Sequence, residues 1–254
     1  MSAVTENLSL WFRQFHPAPA APLRLVCFPH AGGAATFYFP VARALAPGVD
    51  VVAVQYPGRQ DRRGEACVDD IERLADLVVA ELRPLCDRPV AFFGHSMGAM
   101  VAYEVARRLE AEGIVPIGLF ASGRRAPSTR RHETVHLRDD DGIVRALREL
   151  SGTDAAVLAD DELVRMILPA IRGDYKAVET YAHTPGRELT CPVHVLIGQA
   201  DEMSTVDEAE AWRRHTTGPC TVEVFPGGHF FLVEQAPAVL ASLRARLADW
   251  RTNP

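Results

Sequence analysis

Gly94-His95-Ser96-Met97-Gly98 is the stretch of this sequence best suited to covalent chemistry. A serine hydroxyl is a weak nucleophile until a base takes its proton, so the serine must be held exposed and beside an imidazole. Flanking glycines serve the exposure, because they let the backbone turn sharply where a Cβ would strike neighbouring chain. The surroundings fit a strand–turn–helix: 89–93 has the pattern of a strand, and 99–112 that of a helix closed by Gly113. The start of that helix would also bring its positive end to a developing oxyanion.

A serine of this kind needs a histidine base and an acid that orients it. Enzymes built on such a turn place them in the chain order serine, acid, histidine. Asp201, in Gly198-Gln199-Ala200-Asp201, and His229, in Pro226-Gly227-Gly228-His229, follow in that order. Each lies just past a strand-like run, at 193–197 and 222–225, so both belong at the C-terminal edge of a sheet. Glu202 is the fallback acid. A turn or helix-capping role for Asp201 and a structural role for His229 are the plain alternatives. Two backbone donors must then hold the oxyanion. Met97 N–H follows the nucleophile, and Ala31 N–H sits in Phe28-Pro29-His30-Ala31-Gly32-Gly33, after an early strand. His30 and His95 are expected to line the pocket.

His132-Glu133-Thr134-Val135-His136 offers a competing chemistry, since it matches the H-E-x-x-H pattern of zinc proteases. That chemistry needs both imidazoles on one helix face and a third ligand. Here the segment follows Arg130-Arg131, contains two β-branched residues and runs towards Asp139-Asp140-Asp141. An exposed loop or short helix is the expectation. No Walker A or dinucleotide-binding pattern is present, and a serine mechanism calls for no metal or organic cofactor.

The elements that must position these residues alternate along the chain. Strands are expected at 23–28, 49–55, 89–93, 117–121, 193–197 and 222–225. Helices are expected from Asp69 or Asp70 through Leu85, and over 99–112 and 237–250. Near-continuous apolar strands separated by helices predict an α/β protein with a parallel sheet covered on both faces. From 128 to 184 no strand is visible, and 142–150, 159–168 and 173–181 have helical patterns. That is too long for a simple crossover, so it is expected to be a helical cap inserted in a single domain spanning 1–254. The alternative is that these helices pack directly on the sheet.

With 48% hydrophobic and 24% charged residues over 254 positions, the chain falls among soluble globular proteins. A net charge of −6 argues against non-specific nucleic-acid binding. Lys176 is the only lysine, so nearly all the positive charge is arginine. Five scattered cysteines without a C-x-x-C pair point to reduced thiols in a cytoplasm. Met1 to Ala21 shows no signal-peptide pattern, and no apolar run is long enough to span a membrane.

Four motifs together resemble the type II thioesterases of polyketide and nonribosomal peptide assembly lines, a branch of the α/β-hydrolase superfamily. They are Phe28-Pro-His-Ala-Gly-Gly33, Gln55-Tyr-Pro-Gly-Arg59, Gly94-His-Ser-Met-Gly98 and Phe225-Pro-Gly-Gly-His229-Phe. The resemblance runs through 23–250, and the first two motifs are its more specific marks. It implies an α/β-hydrolase fold, a mostly parallel central sheet flanked by helices, with 128–184 as a mobile lid. It implies catalytic roles for Ser96, Asp201 and His229, with Ala31 and Met97 as oxyanion donors. The implied substrate is an acyl thioester on the phosphopantetheine arm of a carrier protein, and no cofactor is implied. Glu202-Met203-Ser204 departs from the acidic or proline-containing continuation expected after the acid. Carrier proteins are usually acidic, so Arg59, Arg62, Arg63, Arg124, Arg125, Arg130 and Arg131 are candidate docking charges beside the alternative of plain solvation. A monomer is expected, with neither nucleic acid nor membrane as partner. Two other functions stay open: a carboxylesterase or lipase acting on oxygen esters, and a non-catalytic binding module on a hydrolase scaffold.

Overall fold

The computed structural model describes residues 9–150 and 158–252. Parts of the N-terminal stretch Met1 to Ala21 and of the expected cap 128–184 therefore lie outside the described residues. Seven strands form one sheet: β1 (Phe12–Arg13), β2 (Arg24–Phe28), β3 (Asp50–Val54), β4 (Val90–His95), β5 (Gly118–Ser122), β6 (Val193–Gly198) and β7 (Cys220–Phe225). Their order is β1-β3-β2-β4-β5-β6-β7. Only β1 is antiparallel, paired with β3, and the other neighbours are parallel. The six strands expected from sequence are all present, with ends moved by one or two residues. β1 was not expected, because two residues carry no periodicity.

The interior strands are buried throughout and mostly apolar because both sheet faces are covered. On β2, Val26 and Phe28 enter one core, while Leu25 and Cys27 enter the other. The first core is completed by α2 (Ile71–Leu82) and α3 (Met97–Ala111), the second by α1 (Phe39–Leu45) and by Val239, Leu243, Leu247 and Trp250 of the C-terminal helix. α2 starts where Asp70 caps it, its carboxylate accepting from Arg73 N–H at 2.8 Å. Ile71, Leu74, Ala75, Val78, Val79 and Leu82 then recur on its buried face.

Between β5 and β6 come α4 (Asp140–Leu150) and α5 (Asp161–Thr180). The latter replaces the two helices expected at 159–168 and 173–181. Pro169 lies inside it and removes one backbone donor. Leu168, Ile171, Tyr175 and Val178 nevertheless repeat on one buried face and carry the helix through. With Ile143, Val144 and Leu147 of α4, residues of this helix form a third apolar cluster separate from the two sheet cores. After β6 the chain forms α6 (Val206–Glu210), and after β7 come α7 (Phe231–Glu234) and α8 (Ala236–Thr252).

The strand order decides where a site can lie. β3 pairs on one side of β2 and β4 on the other, so the chain reverses direction across the sheet between them. At such a point the loops leaving the carboxyl ends of the two strands diverge and leave a crevice. Phe28 and Gly94 are paired in register, so the loop after β2 starts beside the turn that carries Ser96.

Candidate active site

Ser96 occupies the sharp turn between β4 and α3, with φ 53° and ψ −118°. A non-glycine residue in this region is strained, and the surroundings hold it there. Its N–H donates to Ser122 O at 2.8 Å, extending the β4–β5 ladder by one bond. A Cβ on Gly94 would lie 2.2 Å from Gly98 O, and one on Gly98 would lie 2.0 Å from Phe28 O. The two glycines are therefore set by backbone meeting backbone. The Ser96 side chain makes no capping bond to α3. Met97, whose side chain is buried in the core, opens α3, and N–H groups in a first helical turn have no intrahelical acceptor.

Asp201 and His229 come together from the loops after β6 and β7. His229 Nδ1 lies 3.0 Å and 2.9 Å from the two Asp201 carboxylate oxygens, and both side chains are buried. With Nδ1–H committed to that carboxylate, Nε2 is the ring's free acceptor. The two loops are clasped through their backbones: Gln199 N–H donates to Phe225 O at 2.7 Å and Ala200 N–H to Gly227 O at 2.9 Å. Gly198 permits this closeness, since a Cβ there would lie 2.3 Å from Gly228 O. Met203 N–H adds a 2.9 Å bond to Asp201 Oδ1. Glu202, the fallback acid, is exposed.

Ser96, His229, His30 and Ala31 line one cavity of about 40 Å³, closed over by Leu147 and Leu150 of α4 and by Tyr175, Val178 and Glu179 of α5. Among the described residues no hydrogen bond closes between Ser96 Oγ and His229. Bonds of this kind are often long away from the reacting complex and tighten within it. Ala31 N–H donates to no described group, whereas Gly32 N–H donates to Asp174 Oδ2 at 2.7 Å.

His30 and His95 have different places. His30 lines the cavity, as expected. His95 lies behind it, fully buried, with Nδ1 3.0 Å from Ser122 Oγ. Its ring centroid is 5.0 Å from that of His229 and 5.9 Å from that of His30. Burial, then the neighbouring His229 and His30 rings, hold the His95 pKa well below the ordinary imidazole value. His30 is pushed down to about 3, by burial first and then by His229 and Arg59. Both rings are neutral at physiological pH and place no fixed positive charge beside His229.

Arg59 and Asp174 brace the loop that carries Ala31. Arg59 Nη1 and Nη2 reach the two Asp174 carboxylate oxygens at 2.7 Å and 2.8 Å, and Nη1 also donates to Gly33 O at 3.0 Å. The loop carrying Ala31 is thereby held from both sides, through Gly32 N–H and Gly33 O. Sequence inspection missed Asp174. Its signal was an acidic residue among the apolar positions of α5, beside Ile171 and Tyr175, where a charge needs a partner.

The expected docking arginines are mostly buried, which corrects that assignment. Arg59, Arg62, Arg124 and Arg125 all lie inside the protein. Arg62 pairs with Glu65 and stacks over Trp11, Arg125 pairs with Glu133, and Arg131 pairs with Glu208. Only Arg63 and Arg130 of the set are exposed. In the H-E-x-x-H stretch the chain is irregular up to a single 3₁₀ turn at Val135–Leu137. His132 and His136 therefore share no helix face, and His136 bonds Glu179 instead.

The sequence pattern of the family described as "Thioesterase domain" matches residues 23–247. The chain belongs to the thioesterase family. This thioesterase is 54% identical over 254 residues to the probable cadicidin biosynthesis thioesterase of Streptomyces griseus, covering 100% of this chain and 70% of that protein. It is 52% identical over 247 residues to thioesterase PikA5 of Streptomyces venezuelae, covering 96% and 88%. Among solved structures it is similar to BorB, a type II thioesterase from the borrelidin biosynthetic cluster. The TM-score there is 0.89 at 54% identity, over 94% of this chain and 98% of that one. The thioesterase has the α/β-hydrolase fold, and its activity is thioester hydrolysis.

Proposed function

We propose that this thioesterase removes acyl groups held as thioesters on the phosphopantetheine arm of carrier proteins, clearing stalled or aberrant units in polyketide or nonribosomal peptide synthesis. Its relatives' names support the setting. The observation that carries the chemistry is the Asp201–His229 pair at 2.9 Å in the wall of the cavity that Ser96 enters.

In this reading His229 Nε2 takes the Ser96 proton as Oγ attacks the thioester carbonyl. Asp201 fixes the ring tautomer and stabilises the imidazolium. The N–H groups of Ala31 and Met97 receive the oxyanion. The leaving thiol has a pKa of roughly 8.5, taking cysteine as a guide, so it departs with less protonation than an amine needs. Water then attacks the acyl-enzyme, with His229 again as base.

A cavity of about 40 Å³ holds little more than a water molecule. Ligand sites of drug size run to roughly 300 Å³ and more. The helices α4 and α5 therefore act as a lid that must shift to admit the substrate. All five cysteines are free, which supports a reducing, cytoplasmic setting.

The test is intact-mass analysis after incubation with a panel of acyl-loaded carrier proteins, alongside the matching oxygen esters. Loss of acyl mass from the carriers, with an acyl adduct on Ser96, is the expected result. Faster turnover of the oxygen esters would reject the reading.

A further inference from the structure

Arg124 is a buried cation that pairs with no carboxylate among the described residues, in the wall of the cavity that holds Ser96. It follows Gly123 at the end of β5. Gly123 has φ +58°, and a Cβ there would lie 2.6 Å from His95 Cε1 and 3.5 Å from His229 Cε1. The chain thus passes against both imidazoles before Arg124 turns into the cavity. Its backbone is fixed by Trp212 Nε1–H donating to Arg124 O at 2.8 Å. The side chain is 6% exposed. Among the described residues its guanidinium forms no ion pair, and the buried Nε has no hydrogen-bond partner.

The nearby carboxylates are engaged elsewhere. Glu133 pairs with Arg125. Glu179 accepts from the Val135 and His136 N–H groups, at 2.9 Å and 3.1 Å, and from the His136 ring. Burial and the like charges of Arg125 and Arg131 lower the Arg124 pKa to about 10, which leaves it protonated at neutral pH. Buried polar groups are almost always satisfied, so a guanidinium with donors in hand beside a nucleophile points to an acceptor on the substrate.

The surroundings select the acceptor. Glu133 and Glu179 line the same cavity as Arg124, so an anion there would face two carboxylates. A neutral carbonyl oxygen carries no net charge for them to repel. Arg124, Glu133 and Glu179 also line an adjoining hollow of about 440 Å³. A chain that runs from Ser96 through both spaces passes Arg124, which lines each of them. In a pantetheine arm that place is held by the amide nearest the sulfur, two methylenes away. The arm's phosphate lies much further along.

We propose that Arg124 donates hydrogen bonds to the first amide carbonyl of the pantetheine arm, and so selects pantetheine thioesters over simple alkyl thioesters. This rests on the carrier-arm reading given above.

The experiment compares kcat/KM for two thioesters with the same acyl group, one of N-acetylcysteamine and one of an alkyl thiol of equal length lacking the amide. The wild type should favour the amide-bearing thioester by about 10- to 100-fold, the range of a hydrogen bond to a charged group. In Arg124→Met that ratio should fall towards one, and Arg124→Lys should restore part of it. A wild-type ratio near one overturns the proposal whatever the variants do. So does a preference that Arg124→Met retains. Hydrolysis of both thioesters, abolished by Ser96→Ala, together with either of those results, removes the role of Arg124 alone. Failure to hydrolyse either thioester removes the underlying functional reading instead.

Discussion

Arg59 and Asp174 stand 115 residues apart and meet in a two-pronged ion pair, at 2.7 Å and 2.8 Å, with both side chains buried. One partner belongs to the motif after β3 and the other to α5, and between them they grip the loop that carries Ala31. Replacing Asp174 by Asn keeps the shape, removes the charge and leaves Arg59 buried and uncompensated. Breaking a buried pair from one side costs about 3–5 kcal/mol. We expect Asp174→Asn to lower the urea unfolding free energy by that order. We also expect kcat to fall about 10- to 100-fold with a smaller change in KM, because in the proposed mechanism Ala31 N–H receives the oxyanion and its loop would lose this brace. A stability loss with kcat untouched would confine the pair to a structural role.

Ser96→Ala should lower kcat by roughly 10⁴-fold or more on any thioester. Asp201→Asn should cost about 10⁴-fold by presenting the wrong tautomer of His229. The double variant should be hardly worse than Ser96→Ala alone, because the groups act as one unit. Steady-state kinetics on a soluble thioester decide this. Additive losses would mean that Asp201 does not work through the serine.

The elbow was legible in the sequence because its constraint is local. Gly94, Ser96 and Gly98 lie within five residues, between an apolar run and an amphipathic one, and the structure differs from that expectation only in element ends. That Asp201 and His229 would meet could be read because each follows closely on a strand, and their side chains do bond. What the sequence hides is pairing at a distance. Seven arginines looked like docking charges, yet Arg59 is buried because Asp174 returns to it from a helix far along the chain. The helix α5 was split at Pro169 and Gly173 because propensity is a local quantity. The burial of Leu168, Ile171 and Tyr175 that overrides it exists only once α4 packs there. β1 left no sign, since two residues borrow all their order from β3.

Gly98 and Gly64 make a paired test of how the elbow is built. A Cβ on Gly98 would meet Phe28 O at 2.0 Å, an atom of the central sheet that cannot retreat. A Cβ on Gly64 would meet nothing within 4 Å beyond its own chain neighbours. Gly98→Ala should therefore be severely destabilised, by more than about 4 kcal/mol, or fail to yield folded protein. Gly64→Ala should be neutral or up to about 1 kcal/mol more stable, through the reduced freedom of the unfolded chain. Thermal midpoints of the two variants against wild type give the comparison. A Gly98→Ala protein with a wild-type midpoint would contradict the backbone packing described for this turn.

His95 ties stability to pH. Its folded-state pKa lies well below the ordinary value of 6.5, so the ring stays neutral in the fold while the unfolded chain takes up a proton. The unfolded state then binds more protons below pH 6.5, and stability falls with acid there. Above pH 6.5 neither state is protonated and the contribution is flat. One such ring costs about 1.4 kcal/mol for each pH unit below 6.5, which is about 2 kcal/mol at pH 5. His30, pushed down to about 3, should add a similar slope over the same window. In urea unfolding at pH 7 and pH 5, the wild type should lose about 2 kcal/mol more than a His95→Gln variant. The glutamine has no charge to gain in either state, so parallel losses would show that His95 is protonated inside the fold.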